Sequence, residues 1–89
     1  MKIIICHQQF ELTEEDIPID WTHGMGRSNI ARGTIRLRAG MAPGVREATI
    51  LHEIIHIIAG MNDLRKLDDD ETIVGVLSTG LLDFLRGNK

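Results

Sequence analysis

The segment 49–60 restricts the fold of this chain more than any other feature. It reads TILHEIIHIIAG, and its polar residues other than Thr49 are the three of the motif His52-Glu53-x-x-His56. A helix that is apolar nearly all round belongs in the core of a protein. Its polar groups share one stripe, since positions four residues apart lie on the same helix face. Burying two imidazoles and a carboxylate is costly unless each is satisfied, so this stripe must have a partner.

A metal ion is the partner that this spacing favours. Two imidazoles one helical turn apart can direct nitrogens at a single ion about 2.0–2.1 Å away. A carboxylate next to the first histidine can reach a water molecule at that ion without being a ligand, which is where a general base is needed. H-E-x-x-H is the signature of zinc hydrolases. We therefore predict that His52 and His56 bind Zn²⁺ and that Glu53 is the catalytic base. The alternative is a pair of hydrogen-bonded core histidines.

A catalytic zinc usually has three protein ligands and one open position. Glu71 is our candidate for the third ligand, because it lies in the first turn of the last predicted helix, fifteen residues after His56. The intervening loop is long enough to bring that helix back beside the first. The alternative for Glu71 is a solvated acid that favours the helix N-terminus. Asp63, or one of the aspartates at 68–70, remains open as the ligand instead.

The other histidines and the single cysteine have less specific interpretations. His7 and His23 lie outside any ligand spacing and are expected on the surface or in loops, although His23 could face the site as an electrophile. Cys6 is expected to be a small buried hydrophobe. A single cysteine excludes an intrachain disulfide and favours a reducing compartment. The first apolar run is too short for a signal peptide, and no stretch has the length of a membrane span. We expect a cytoplasmic protein.

The chain has 89 residues, which predicts a single domain. The apolar run 3–5 predicts a buried strand, residues 8–12 a hairpin partner, and the alternation at 34–38 a half-buried strand with Ile35 and Leu37 on one face. Residues 13–28 look irregular. Helices are predicted at 45–59 and 69–86, with Val74, Leu77, Leu81 and Leu85 at helical spacing. The fold class is therefore α+β: a small N-terminal sheet followed by two helices.

Charge is unevenly distributed around a net charge of −3. Residues 21–46 contain no acid and carry five arginines, namely Arg27, Arg32, Arg36, Arg38 and Arg46. They are most simply a solvated strand face; the functional alternative is a rim that attracts an acidic peptide or a phosphate backbone. Because neither aromatic partners nor a nucleic-acid motif accompanies them, we expect a protein or peptide partner rather than nucleic acid. The sequence does not indicate an oligomeric state.

Several segments resemble a known family. Residues 33–37 and 46–56 together look like the small phage and bacterial metallopeptidases of the ImmA/IrrE type, and residues 70–74 and 77–86 are similar to the closing helix of their short phage-borne members. The resemblance covers about residues 30–88. It implies a minimal gluzincin, with His52, His56 and Glu71 as zinc ligands and Glu53 as base. It also implies that an edge strand at 34–38 lines the cleft and pairs a substrate backbone.

The resemblance thus implies a zinc metallopeptidase that hydrolyses peptide bonds. Such peptidases often carry a tyrosine as the oxyanion electrophile, and this chain has no tyrosine. Three other interpretations of the sequence stay open. The first is a zinc-bound module that binds another protein without cutting it, the second is a hydrolase acting on nucleic acid, and the third is a structural protein without a metal.

Overall fold

The computed structural model describes residues 1–16 and 25–88. Four strands precede three helices, which confirms the α+β class with an N-terminal sheet. The strands are β1 (Lys2–Ile5), β2 (Gln8–Glu15), β3 (Gly26–Asn29) and β4 (Thr34–Arg38). The helices are α1 (Pro43–Met61), α2 (Arg65–Asp68) and α3 (Glu71–Gly87).

The strands form one sheet in the order β1-β2-β4-β3. β1 and β2 are an antiparallel hairpin, as predicted, and its turn residues Cys6 and His7 both have positive φ. β2 and β4 are parallel, whereas β3 and β4 are antiparallel. The turn between β3 and β4 contains Gly33 at φ 67°, a conformation that glycine adopts without a steric penalty. Within residues 1–16 and 25–88, β4 is therefore an interior strand, and β3 and β1 are the two edges of the sheet.

The core lies between the sheet and α1. Phe10, Ile35, Leu37 and Ile57 are fully buried there, and Ile5 and Leu12 complete the cluster. The alternation predicted at 34–38 is confirmed, because Ile35 and Leu37 point inward while Arg36 is exposed. α3 packs on α1 and α2 and makes no contact with the described strands. The molecule is thus layered as sheet, α1 and then α3.

One prediction about secondary structure is wrong. Residues 13–28 are not irregular throughout, since β2 continues to Glu15 and Gly26–Asn29 forms β3. The apolar residues at helical spacing on the last helix do not form its packed face, because among Val74, Leu77, Leu81 and Leu85 only Val74 is buried. The buried residues of α3 are Val74, Ser78 and Leu82. Both sides of α3 are apolar, so the spacing of its apolar residues does not by itself identify the packed side.

Gly26 sets how closely β3 approaches α1. A Cβ atom there would lie 3.1 Å from Thr49 Cγ2 on α1, 3.1 Å from Leu37 Cδ2 and 3.2 Å from the carbonyl oxygen of Arg36. A glycine is therefore needed for β3 to pair with β4 and contact the motif helix at the same point. This contact holds one edge of the sheet beside His52 and His56.

Candidate metal centre

α1 places the two motif histidines on one face. His52 and His56 are one turn apart, and their Nε2 atoms are 3.2 Å apart. Their rings meet edge to face, with centroids 4.8 Å apart and an interplanar angle of 62°. Both side chains are partly buried, because α1 packs between the sheet and α3. The two imidazoles therefore direct the same nitrogen at the same point, as the spacing predicts.

α3 brings a carboxylate to that point. Asp70 caps the helix by accepting a hydrogen bond from the backbone N–H of Ile73 at 3.0 Å, so Glu71 is the first residue of α3. Its Oε2 lies 3.0 Å from Nε2 of His52, and its Oε1 lies 2.8 Å from Nε2 of His56. The Glu71 side chain is 69% exposed, and its carboxylate still faces both rings. The position predicted for Glu71 is thus found.

The three groups have spacings that suit one small ion. Ligands of a tetrahedral site with bonds of about 2.0–2.1 Å are about 3.3 Å apart. The two Nε2 atoms are 3.2 Å apart, and each lies 2.8–3.0 Å from a different oxygen of the Glu71 carboxylate, distances that also suit hydrogen bonds. His52, His56 and Glu71 lie close enough to hold a metal ion, and no other such group of three exists among residues 1–16 and 25–88. Two imidazoles and one carboxylate are also the donor set of open, catalytic zinc sites.

Asp68, at the end of α2, orients one of these imidazoles. Its Oδ1 lies 2.8 Å from Nδ1 of His56, the ring nitrogen that faces away from Glu71. When Nδ1 carries the proton and donates it to Asp68, Nε2 keeps a free lone pair for an ion. Carboxylates that hold metal-binding histidines in this way fix both the tautomer and the ring orientation. The sequence leaves Asp68 open as an alternative ligand, whereas the structure places its carboxylate against Nδ1 of His56.

The pKa of His56 reflects these neighbours. Burial of the ring acts to lower the pKa, but the hydrogen bond with Asp68 and the negative charges of Glu71, Glu53 and Asp68 together outweigh it. The pKa of His56 is therefore raised above its ordinary value of 6.5. An excess of negative charge around two imidazoles is what a site for a divalent cation requires.

Glu53 lies on the same helix, between the histidines and the sheet. It is one of only two polar residues buried in the described part of the chain, at 8% exposure, and it lines the cleft that contains the three candidate ligands. A carboxylate at this place lines the same cleft as the three candidate ligands without belonging to their group. Its role as a general base stays a prediction.

The cleft runs between β3 and α3, with α1 as its floor, and has a volume of about 1230 Å³. Met25, Gly26, Arg27 and Ser28 form the β3 side, and no residue of β4 lines it. The expectation that an edge strand at 34–38 borders the cleft is therefore wrong. β4 is covered on both sides by β2 and β3, and the edge strand at the cleft is β3. Its sequence GRSN has no apolar residue that could have signalled a strand.

The other candidate ligands lie elsewhere. Asp63 is 89% exposed and lies 3.5 Å from Arg65 Nε, outside the ligand group. Asp69 is exposed and Asp70 caps α3. His7 is exposed in the β1–β2 turn, as predicted for a surface histidine, and His23 lies outside the described residues. Cys6 is exposed in the same turn, so the prediction of a buried cysteine is wrong.

The arginines have mixed surroundings. Arg36 forms an ion pair with Glu15, and Arg46 forms one with Glu14. Arg27 lines the cleft. Acidic residues of β2 thus neutralise part of the arginine-rich segment, which fits a solvated surface better than a phosphate-binding patch.

Comparisons with protein-family models, with curated proteins and with solved structures gave no match for this chain. Among the described residues, the longest and most apolar helices still fall short of what crossing a membrane requires. An assignment of function therefore depends on the geometry of the site itself.

Proposed function

We propose that this chain is a zinc-dependent metallopeptidase of the ImmA/IrrE-like, minimal gluzincin type, with His52, His56 and Glu71 as zinc ligands and Glu53 as general base. One observation carries the proposal. The Nε2 atoms of two histidines on α1 lie 3.2 Å apart, and the Glu71 carboxylate from α3 faces both of them at 3.0 and 2.8 Å, in an open cleft that the buried Glu53 also lines. Two imidazole nitrogens with one carboxylate are a donor set that favours zinc over magnesium or calcium.

A bound zinc would polarise a scissile carbonyl and lower the pKa of a water molecule beside it toward about 7. The chain's own contribution is positioning and proton transfer. Glu53 accepts the proton from the attacking water and delivers it to the leaving amine. Asp68 keeps the imidazole of His56 in the tautomer that leaves Nε2 unprotonated.

The substrate is proposed to be an extended peptide segment bound along β3. This strand has one described neighbour in the sheet, β4, and its other edge faces the cleft. A peptide can add to such an edge through main-chain hydrogen bonds, which holds its backbone next to the metal site whatever its side chains are. β3 thus takes the place of the strand at 34–38 as the strand that pairs with the substrate backbone.

The proposal is tested by incubating the zinc-loaded protein with a panel of unfolded proteins and mapping new termini by mass spectrometry. We expect cleavage that disappears when a chelator is added and returns with zinc. Glu53→Gln should retain zinc while losing about 10²–10⁴-fold in rate, since that is the usual contribution of a general base. Zinc binding with no new termini in any substrate would refute the peptidase.

The second candidate is a zinc-bound module that binds another protein without cutting it. The observation in its favour is the absence of tyrosine from the sequence, which removes a common electrophile for the oxyanion. In this case Glu53→Gln would leave the binding of a partner unchanged, and zinc removal would abolish it. The same variant thus separates the two candidates.

A further inference from the structure

α3 has a second apolar face that the fold leaves uncovered. Six of its large apolar side chains are between 43% and 67% exposed. Leu85 lies on another side of the helix, near its end, and the other five share one side: Ile73, Val76, Leu77, Leu81 and Phe84. We call these residues, together with Gly80 among them, the α3 outer face. A surface helix normally carries charged residues on its solvent side. Residues 72–82 of α3 contain no charged residue, so the sequence of this helix has the pattern of one that is covered on both sides.

The α3 outer face is directed away from the cleft. Glu71, Gly75, Ser78 and Leu82 line the cleft, and at about 100° per residue they lie on the opposite side of the helix from Leu77 and its neighbours. A partner on the outer face would therefore leave the metal site open. The inference is independent of the proposed peptidase activity.

We propose that the α3 outer face is the interface of a homodimer formed by two copies of this chain. The five side chains expose on the order of 500 Å² together, which is the size of the largest apolar patch on a typical monomer, and such patches often bind a partner. Two such faces would bury about 1,000 Å² in total, the lower limit for a specific interface. The same face on a second copy has the same area and the same apolar character, so a second copy supplies a matching partner.

The order of residues along α3 makes the face complementary to itself. In an antiparallel pairing centred between Gly80 and Leu81, Leu77 of one copy lies opposite Phe84 of the other, and the glycine lies opposite Leu81. Twofold symmetry requires this reciprocity of contacts. A Cβ atom at Gly80 meets nothing within 4 Å in the single chain, so the glycine is not needed for the fold of the monomer. In the dimer it allows the two helices to approach closely.

A membrane surface fits this face less well than a second copy. Helices that lie on anionic membranes carry lysine or arginine along the border of their apolar face. The only basic residue of α3 is Arg86, whose guanidinium pairs with Glu47 on α1 at 3.0 Å. The net charge of −3 also opposes attraction to anionic lipid.

The test is the oligomeric state of the purified chain from micromolar to millimolar concentration, measured by analytical ultracentrifugation. We expect a reversible monomer–dimer equilibrium. Leu77→Glu and Phe84→Glu should each weaken dimerisation at least about tenfold, since they place a charge at the centre of an apolar interface. Ile4→Glu is the matched control, because Ile4 is also a large exposed apolar side chain, at 68%, but lies on β1. Circular dichroism shows whether each variant is folded.

Crosslinking provides a second measurement that does not depend on destabilising variants. In a Cys6→Ser background, Gly80→Cys should form a disulfide-linked dimer under mild oxidation, whereas Lys66→Cys, exposed on α2, should not. A chain that stays monomeric at millimolar concentration would overturn the proposal. So would a dimer that persists in both α3 variants, or one that only Ile4→Glu disrupts, since the interface would then lie elsewhere.

Discussion

His56 is held from both of its ring nitrogens, with Asp68 Oδ1 at 2.8 Å from Nδ1 and Glu71 Oε1 at 2.8 Å from Nε2. The two carboxylates come from different helices, so the geometry of one imidazole depends on how α2 and α3 follow α1. Both ring nitrogens are thus oriented by carboxylates, and Nε2 faces the candidate metal site. The two carboxylate neighbours of the ring should then have unequal effects on metal affinity.

Replacing Asp68 by asparagine should weaken zinc binding about 10–100-fold, the usual effect of losing a carboxylate that orients a histidine ligand. The asparagine keeps the size of the side chain but removes the charge that favours a proton on Nδ1. Titration with a competing chromophoric chelator measures the affinity. Asp69→Asn is the control, because Asp69 is exposed and adjacent. Equal zinc affinities of Asp68→Asn and Asp69→Asn would show that Asp68 does not support the metal site.

Glu71→Ala should reduce zinc affinity more than Asp68→Asn does, because it removes a ligand rather than a supporting group. Asp63→Ala is the matched control, since Asp63 is an exposed acid outside the ligand group. Metal content after dialysis, measured by mass spectrometry, should be near one ion per chain in the control and near zero in Glu71→Ala. If Asp63→Ala lost the ion while Glu71→Ala kept it, the third ligand would be Asp63 instead.

The raised pKa of His56 gives the metal-free protein a defined pH dependence. Because the folded state binds this proton more tightly than the unfolded chain, the contribution to the free energy of unfolding is full below pH 6.5 and is lost as pH rises through the folded pKa. His56→Gln lacks this contribution. Denaturation with urea in the presence of chelator should therefore show a difference between wild type and variant that shrinks toward alkaline pH.

Zinc affinity should depend on pH in the opposite direction. A ligand imidazole must lose its proton, so zinc binding weakens as pH falls through the pKa of His56. The groups that face this ring are His52, Glu53, Asp68 and Glu71, and their charges set where the change occurs. Affinity that is constant from alkaline to mildly acidic pH would show that His56 is not a ligand.

The parts of the fold that the sequence predicts are those with a local signal. Alternation at Ile35 and Leu37 identifies β4, and the H-E-x-x-H spacing places two imidazoles on one helix face whatever surrounds it. β3 has no such signal, because its four residues are polar or glycine and its pairing depends on β4 and on the contact at Gly26. Strands of this kind are determined by their neighbours rather than by their own composition.

The candidate site, like the fold, could be predicted from the sequence only in part. Glu71 could be proposed from its position after an N-cap, because a helix that folds back on α1 brings its first turn near the histidines. The alternatives could not be separated from the sequence, since the direction of each carboxylate depends on α2, a four-residue helix without a strong sequence signal. Whether the Asp68 carboxylate lies beside Nδ1 or beside Nε2 of His56 depends on tertiary packing. The spacing of residues in the sequence does not determine that packing.

The approach of β3 to α1 also predicts a change in stability. Gly26→Ala places a Cβ atom 3.2 Å from the carbonyl oxygen of Arg36, which cannot move without disturbing the sheet, and 3.1 Å from Thr49 Cγ2. We expect a loss of about 1–3 kcal/mol, typical of overpacking. Gly75→Ala is the control, because its Cβ meets nothing within 4 Å and alanine favours a helix by about 1 kcal/mol. Urea denaturation of both variants should therefore give opposite signs. A Gly26→Ala variant as stable as wild type would mean that Thr49 and Leu37 yield to the added methyl group, and that the contact between β3 and α1 does not require glycine.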